Sequence, residues 1–316
     1  MSEIERAVEI LRAGGLVAFP TETVYGLGAD ARNADAVRRI FAAKGRPSTN
    51  PLIVHISGVA MAKLYAAEWP DTARRLAQKF WPGPLTLVLP RFRTIAPEVS
   101  AGWDTVGLRM PNHPLALKLI QRFDGPIAAP SANRSNHISP TTAKHVREEL
   151  GDAVDVILDG GPCTVGIEST VLDLTVARPK ILRPGGIARG QIEKVVGPID
   201  AADMLTEVST PARSPGQHET HYAPRTPAFR FQASERGALH VTPTAGLVTL
   251  GAGVEMKRHK SSIALPASPA AYAHHLYGVL RELDAMGLEA IYVEMPPDRP
   301  EWTAVRDRLI RATRPM

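Results

Sequence analysis

Cysteine is nearly absent from this sequence, with Cys163 the single example in 316 residues. That excludes a disulfide framework and a cysteine-built metal site, and it fits a reducing compartment. No apolar run approaches the ~20 residues that a membrane-crossing helix needs. The opening MSEIERAVEILRAGG reads as an amphipathic helix rather than a signal peptide, so a cytoplasmic location is expected. Neither sign of charge dominates: 37 Lys and Arg against 32 Asp and Glu leave +5, a mild excess that suits a nucleotide, phosphate or RNA partner. Internal repeats and low-complexity tracts are also missing. So are G-x-x-x-x-G-K-[ST], G-x-G-x-x-G after a strand, H-E-x-x-H and G-x-S-x-G. If this chain handles ATP, it does so without a Walker loop.

What is present is ordinary globular material, 44% hydrophobic and 22% charged, enough for one large or two smaller domains. Ile4, Val8 and Leu11 predict a helix over residues 4–13 that stops at Gly14-Gly15, and Leu16 to Phe19 a short buried strand. The stretch 20–28, PTETVYGLG, reads as a hydroxyl- and glycine-rich loop at that strand's end, where ligands usually bind in α/β sheets. Ala36, Val37, Ile40 and Phe41 mark the next helix, broken at Lys44-Gly45-Arg46-Pro47 before a strand over 52–56. Lys44, Arg46, Ser48, Thr49 and Asn50 therefore share one loop, two cations and three short donors suited to a polyanion or to a plain solvated turn. A second polar loop, Pro130-Ser131-Ala132-Asn133, follows the strand expected at 126–129. The composition changes after Gly197. Residues 1–197 read as a first domain, 198–227 as a Pro- and Ser-rich linker, and 228–316 as a small parallel α/β domain.

On chemistry alone, Lys44, Arg46 and Arg183 would bind phosphates while Ser131 and Asn133 donate hydrogen bonds. His218 and His221 are the nearest approach to a zinc pair, and without a helix to hold them they make a weak one. The motifs PTETVYGLG, AAKGRP followed by NPL, FWPGPLTLVL, TVGLRMP, APSAN, and GIEST followed by ILRPG resemble the YrdC-like domain over residues 4–195. With SPG and HYAP in the linker and an α/β tail, the whole chain is similar to the two-domain threonylcarbamoyl-AMP synthases of tRNA modification. One departure is Gln217 to Thr220, where that family more often carries bulky or basic residues.

The resemblance implies an α/β fold with a twisted open sheet around a concave basic cavity, and a smaller Rossmann-like C-terminal domain. It implies the condensation of L-threonine, bicarbonate or CO2, and ATP into L-threonylcarbamoyl-adenylate with release of pyrophosphate. A partner complex would then transfer the threonylcarbamoyl group to tRNAs reading codons that begin with A. By motif position, Thr23, His55, Arg109, Ala129 and Ser169 would surround threonine. Arg46, Asn50, Thr105, Ser131, Asn133, Ser139, Arg183 and Tyr222 would contact ATP, with the linker as a lid. Lys44 and Arg46 would be the catalytic cations and Mg2+ would arrive with ATP, no metal cage being expected. Glu22 and Glu168 lie in the right loops, but each could be a general base or a structural acceptor. Two alternatives stay open: a non-catalytic RNA-binding module, and a carbamoyl-adenylate-forming YrdC-like enzyme.

Overall fold

The structure, a computed structural model, describes residues 2–201, 222–239, 241–251 and 261–316. The linker histidines His218 and His221 and the SPG motif lie outside the described residues. Among the described residues ten strands form the first sheet: β1 (Val17–Phe19), β2 (Gly26–Asp30), β3 (Ile53–His55), β4 (Leu85–Pro90), β5 (Thr105–Arg109), β6 (Ile127–Ala128), β7 (Val156–Ile157), β8 (Thr170–Asp173), β9 (Lys180–Arg183) and β10 (Asp200–Ala201). Their order is β10-β9-β8-β4-β5-β3-β6-β2-β1-β7, with parallel and antiparallel pairs mixed.

Strand β2 departs from the sequence expectation, which had its first residues in a loop. Two glycines argue against a strand by propensity, yet packing demands one: a Cβ on Gly28 would lie 2.7 Å from both Ile127 and Phe19. Only glycine lets β2 run between β1 and β6 at this spacing. Strand β10 likewise falls inside the segment read as linker, pairing with β9.

Both faces of the sheet are covered. The helix Glu3–Arg12 opens with a Ser2–Glu5 capping box and buries Ile4, Ala7, Val8 and Leu11 against the helix Pro114–Phe123. The helix Ala34–Lys44 buries Val37, Ile40 and Phe41 in the larger core and ends at left-handed Gly45.

The second sheet is wholly parallel, in the order β13 (Ser262–Leu265), β12 (Gly246–Leu250), β14 (Ile291–Glu294), β11 (Ala228–Phe231), β15 (Arg314–Pro315). Its crossover helix is Pro269–Asp284. The two domains are docked through shared core: Val24, Ile138 and Ile167 of the first belong to one apolar cluster with Tyr222, Tyr272, Leu276 and Tyr277.

Candidate active site

Strand pairing builds the site. Parallel β3 and β5 register His55 against Arg109, so both side chains emerge at the same sheet end. Beside them the β1–β2 connection supplies Thr21, Thr23 and Val24, and the loop after β6 supplies Ala129 and Ser131. Arg46, Glu168, Arg183 and Tyr222 complete the cavity. A second crevice, between the domains, is lined by apolar Leu182, Pro184 and Pro300, by Arg299, and by Arg189 and Arg311, which are paired with Glu193 and Asp307.

Arg109 is buried, with Nη2 2.8 Å from Glu22 Oε1. The other Glu22 oxygen accepts from the Asn112 amide at 2.9 Å, which fixes Glu22 as the carboxylate ion-paired with Arg109. Burial, with Arg109 adding to it, pushes the His55 imidazole down to about 3. It is neutral at ordinary pH, and its Nδ1 has no partner among the described residues. The Thr21 hydroxyl donates to the Val24 carbonyl at 2.6 Å, so in the 2.8 Å contact between the two hydroxyls Thr23 is the donor. The lone pairs of Thr23 are left for a donor in the cavity. The amide of Ala129 is spent on the Ile53 carbonyl, leaving its own carbonyl to offer.

The second group is cationic. Arg46 donates to the carbonyls of Asn50 and Pro51, at 3.4 and 3.1 Å, and burial brings it down to about 10, still charged at neutral pH. Arg183 donates through Nε and Nη2 to the Ser169 carbonyl, at 3.1 and 3.0 Å. Tyr222, at a left-handed φ of 63°, reaches the cavity from the end of the linker. Its ring stacks on Tyr277 at 5.8 Å between centroids, with the Arg308 guanidinium 5.2 Å from its own centroid.

Thus Thr23, His55, Arg109, Ala129, Arg46, Ser131, Arg183 and Tyr222 all face one cavity. Other expected contacts do not. Lys44 donates to the carbonyls of Ser131 (2.6 Å) and Asn133, which corrects its role from a cation on substrate to a strut holding that loop. Burial, then Arg46, lowers it well below the usual lysine range. Ser169, expected beside threonine, is buried outside the cavity lining, its hydroxyl bonded to Thr86 at 2.8 Å and accepting from Arg183 at 3.1 Å. Asn133 pins the chain through the carbonyls of Arg134 and His137, and Ser139 donates to Glu168 at 2.6 Å. Asn50 gives Arg46 its carbonyl, while Thr105 lines a separate crevice with Thr86, Trp103 and Gly107.

Three donors converge on Glu168: Ser139, Tyr277 at 3.0 Å and Arg308 at 2.7 Å. Burial alone would raise this carboxyl, but Arg308, Arg183 and Ser139 more than offset it and hold it lowered. Sequence reasoning missed Tyr277 and Arg308, which lie more than 100 residues from Glu168 and leave no local signal.

The neutrality of His55 has a measurable consequence. Its unfolded pKa is near 6.5 and its folded value about 3, so the unfolded chain binds the extra proton between them. Stability from this group is present above pH 6.5 and is lost as pH falls toward 3. Denaturant melts across that window should show a shallower acid slope in His55→Gln than in wild type. Equal slopes would mean the imidazole is not held neutral.

A family model described as telomere recombination matches residues 9–185, and one described as threonylcarbamoyl-AMP synthase, C-terminal domain, matches residues 187–313. The chain is 43% identical to the threonylcarbamoyl-AMP synthase of Bacillus subtilis, over 98% of this chain and 92% of that one. Identity to the Pyrococcus abyssi threonylcarbamoyl-AMP synthase is 41%, over 98% and 94%. The solved P. abyssi Sua5 complexed with L-threonine superposes with a TM-score of 0.89 at 39% identity, over 98% of this chain and 95% of that chain. The first domain by itself is similar to E. coli YciO, with a TM-score of 0.52 at 26% identity over 58% and 88%.

Proposed function

We propose how the cavity is used from one premise: this chain belongs to the threonylcarbamoyl-AMP synthase family and is a nucleotidyltransferase forming L-threonylcarbamoyl-adenylate. The observation that carries the reading is the pairing, in one cavity, of Arg109 beside neutral His55 with a second group of Arg46, Arg183 and Tyr222. The first group suits an amino acid. Arg109 takes the carboxylate in a fork, the Thr23 oxygen and the Ala129 carbonyl receive the ammonium, and His55 Nδ1 accepts from the side-chain hydroxyl. The second suits a nucleotide triphosphate, with two buried guanidiniums for the phosphates and an aromatic ring for packing.

The ammonium gives one proton to solvent. The free amine attacks the carbon of CO2, forming a C–N bond while one C=O electron pair moves to oxygen, and the adduct releases a second proton to solvent to leave the carbamate. A carbamate oxygen then attacks the α-phosphorus of ATP. A P–O bond forms, the bond to the bridging oxygen breaks, and pyrophosphate leaves with that electron pair. The chain's own part is positioning and charge stabilisation: Arg46 and Arg183 meet the phosphates, while Lys44 fixes the loop that carries Ser131. ATP enters as its Mg2+ complex, so the ion is part of the substrate. Among the described residues no group of three His, Cys, Asp or Glu could hold a metal. The product passes to a threonylcarbamoyl-transfer complex acting on tRNA, in the cytoplasm. No described helix is long and apolar enough to cross a membrane.

The test is pyrophosphate release with ATP, L-threonine and bicarbonate supplied singly and together. Release only with all three is expected, abolished by a chelator and restored by excess Mg2+, while threonine binding without nucleotide is unmoved by the chelator. Release from ATP alone would sink the reading of two linked subsites. Threonine binding that needs the metal would sink the placement of Mg2+ with ATP.

A further inference from the structure

We propose that the C-terminal domain supplies a positioning residue for the nucleotide half of the site: Arg308, which sets Glu168, Arg183 and Tyr222 in place. The inference rests on the nucleotide placement proposed above. Arg308 sits in the helix Thr303–Ala312 and is wholly enclosed, a rare condition for arginine. Its Nε donates to Glu168 Oε2 at 2.7 Å, its Nη2 to the Pro184 carbonyl at 3.0 Å, and its Nη1 to Asp307 Oδ2 at 2.6 Å. Asp307 is in turn held by Arg311 at 3.0 Å.

The positions gripped in the first domain are informative. Glu168 precedes Ser169, whose carbonyl and hydroxyl receive Arg183, and Pro184 follows Arg183 itself. Arg308 therefore clamps the segments 168–169 and 183–184 together, and those segments fix where Arg183 enters the cavity. Its guanidinium also lies against the Tyr222 ring, so one side chain touches the support of both nucleotide-facing groups.

Charge gives a second reason. Glu168 lines the cavity where a triphosphate would lie, and a bare carboxylate there would repel it. Arg308 neutralises that carboxylate from behind, with Tyr277 and Ser139 filling its remaining acceptor sites. The domains are held backbone to backbone close by. Gly166, at φ +82°, has no room for a Cβ, which would come within 2.5 Å of the Ala273 carbonyl on the helix Pro269–Asp284. An interface that only stabilised the fold would lower melting temperature without favouring one substrate. A positioning residue separates the two Michaelis constants.

The experiment is initial-rate pyrophosphate release by the full chain, with KM for ATP and for threonine measured separately and folding checked by melting. Arg308→Gln is expected to raise KM for ATP by about tenfold or more while KM for threonine stays within about twofold. Glu168→Gln/Arg308→Gln should recover most of that loss, because no unpaired carboxylate then faces the phosphates. If Arg308→Gln does not fold, Arg308→Lys carries the reading, with a smaller rise confined to ATP. Equal rises in both KM values, or a double variant no better than the single, would overturn the role. So would Gly166→Ala reproducing the ATP-selective defect, since it disturbs docking without removing charge. Arg183→Ala separates this inference from its premise: an unchanged KM for ATP there would refute the nucleotide placement itself, leaving threonine binding intact.

Discussion

Arg109→Ala is expected to abolish threonine-dependent pyrophosphate release while ATP binding persists. The guanidinium is buried, so its interaction with a carboxylate is little screened, and truncating one member of such a pair costs about 2–5 kcal/mol. At about 1.4 kcal/mol per tenfold, that is roughly 30- to several-thousand-fold in KM for threonine or in rate. The same change leaves Glu22 as a buried carboxylate without its cation, at a cost in stability of about 3–5 kcal/mol. Folding and binding losses must therefore be read apart. Glu22→Gln/Arg109→Met removes both charges and should regain much of the melting temperature without regaining threonine binding. Titration calorimetry decides it: if that double variant binds threonine like wild type, Arg109 does not read the carboxylate.

Tyr222→Ala is the second large effect, and here the loss should fall on ATP. The ring is buried between the domains, stacked on Tyr277 and covered by Arg308, so its removal empties a closed space. Aromatic-to-alanine changes in such places cost about 3–5 kcal/mol. Backbone strain is unchanged by it, because alanine inherits the left-handed φ of 63° that tyrosine already holds. Tyr222→Gly loses the same ring but suits that φ, and should be the more stable of the two by about 1 kcal/mol. Tyr222→Phe keeps the stack. Near-normal melting with a raised KM for ATP in Tyr222→Phe would assign the hydroxyl to the nucleotide, whereas a normal KM would assign the ring. An unaltered KM for ATP in Tyr222→Ala would remove this residue from the nucleotide site.

Much of the fold was legible in the sequence because its signals are local. The helix read over 4–13 and the strand read over 16–19 fall within one residue of their observed bounds, Glu3–Arg12 and Val17–Phe19, since Gly14-Gly15 marks the change of apolar period. Strand β2 was not legible, because Gly28 is there for the close approach of Phe19 and Ile127 and Gly26 for that of Ala129, contacts across the sheet. The candidate site divides the same way. Strand-end His55 and Arg109, and the loop residues Thr23, Ala129 and Ser131, could be placed from motifs that sit at element boundaries. Lys44 could not, since the same loop cation can face solvent, substrate or a carbonyl, and only the path of 131–133 directs it onto carbonyls.

By itself, then, the amino-acid sequence determined most of the helices and strands, β2 and β10 excepted, that two α/β units follow one another, and which loops carry cations and hydroxyls. Periodicity and turn chemistry act over a few residues, and the chain records them directly. Tertiary structure alone decided which polar groups face the cavity and which stand behind it. Lys44, Ser169 and Ser139 became supports, and Arg308, 140 residues from Glu168, became a neighbour of the site. The physical reason is that a buried charge must find its partner in space, and that partner is chosen by how the two sheets dock, not by distance along the chain.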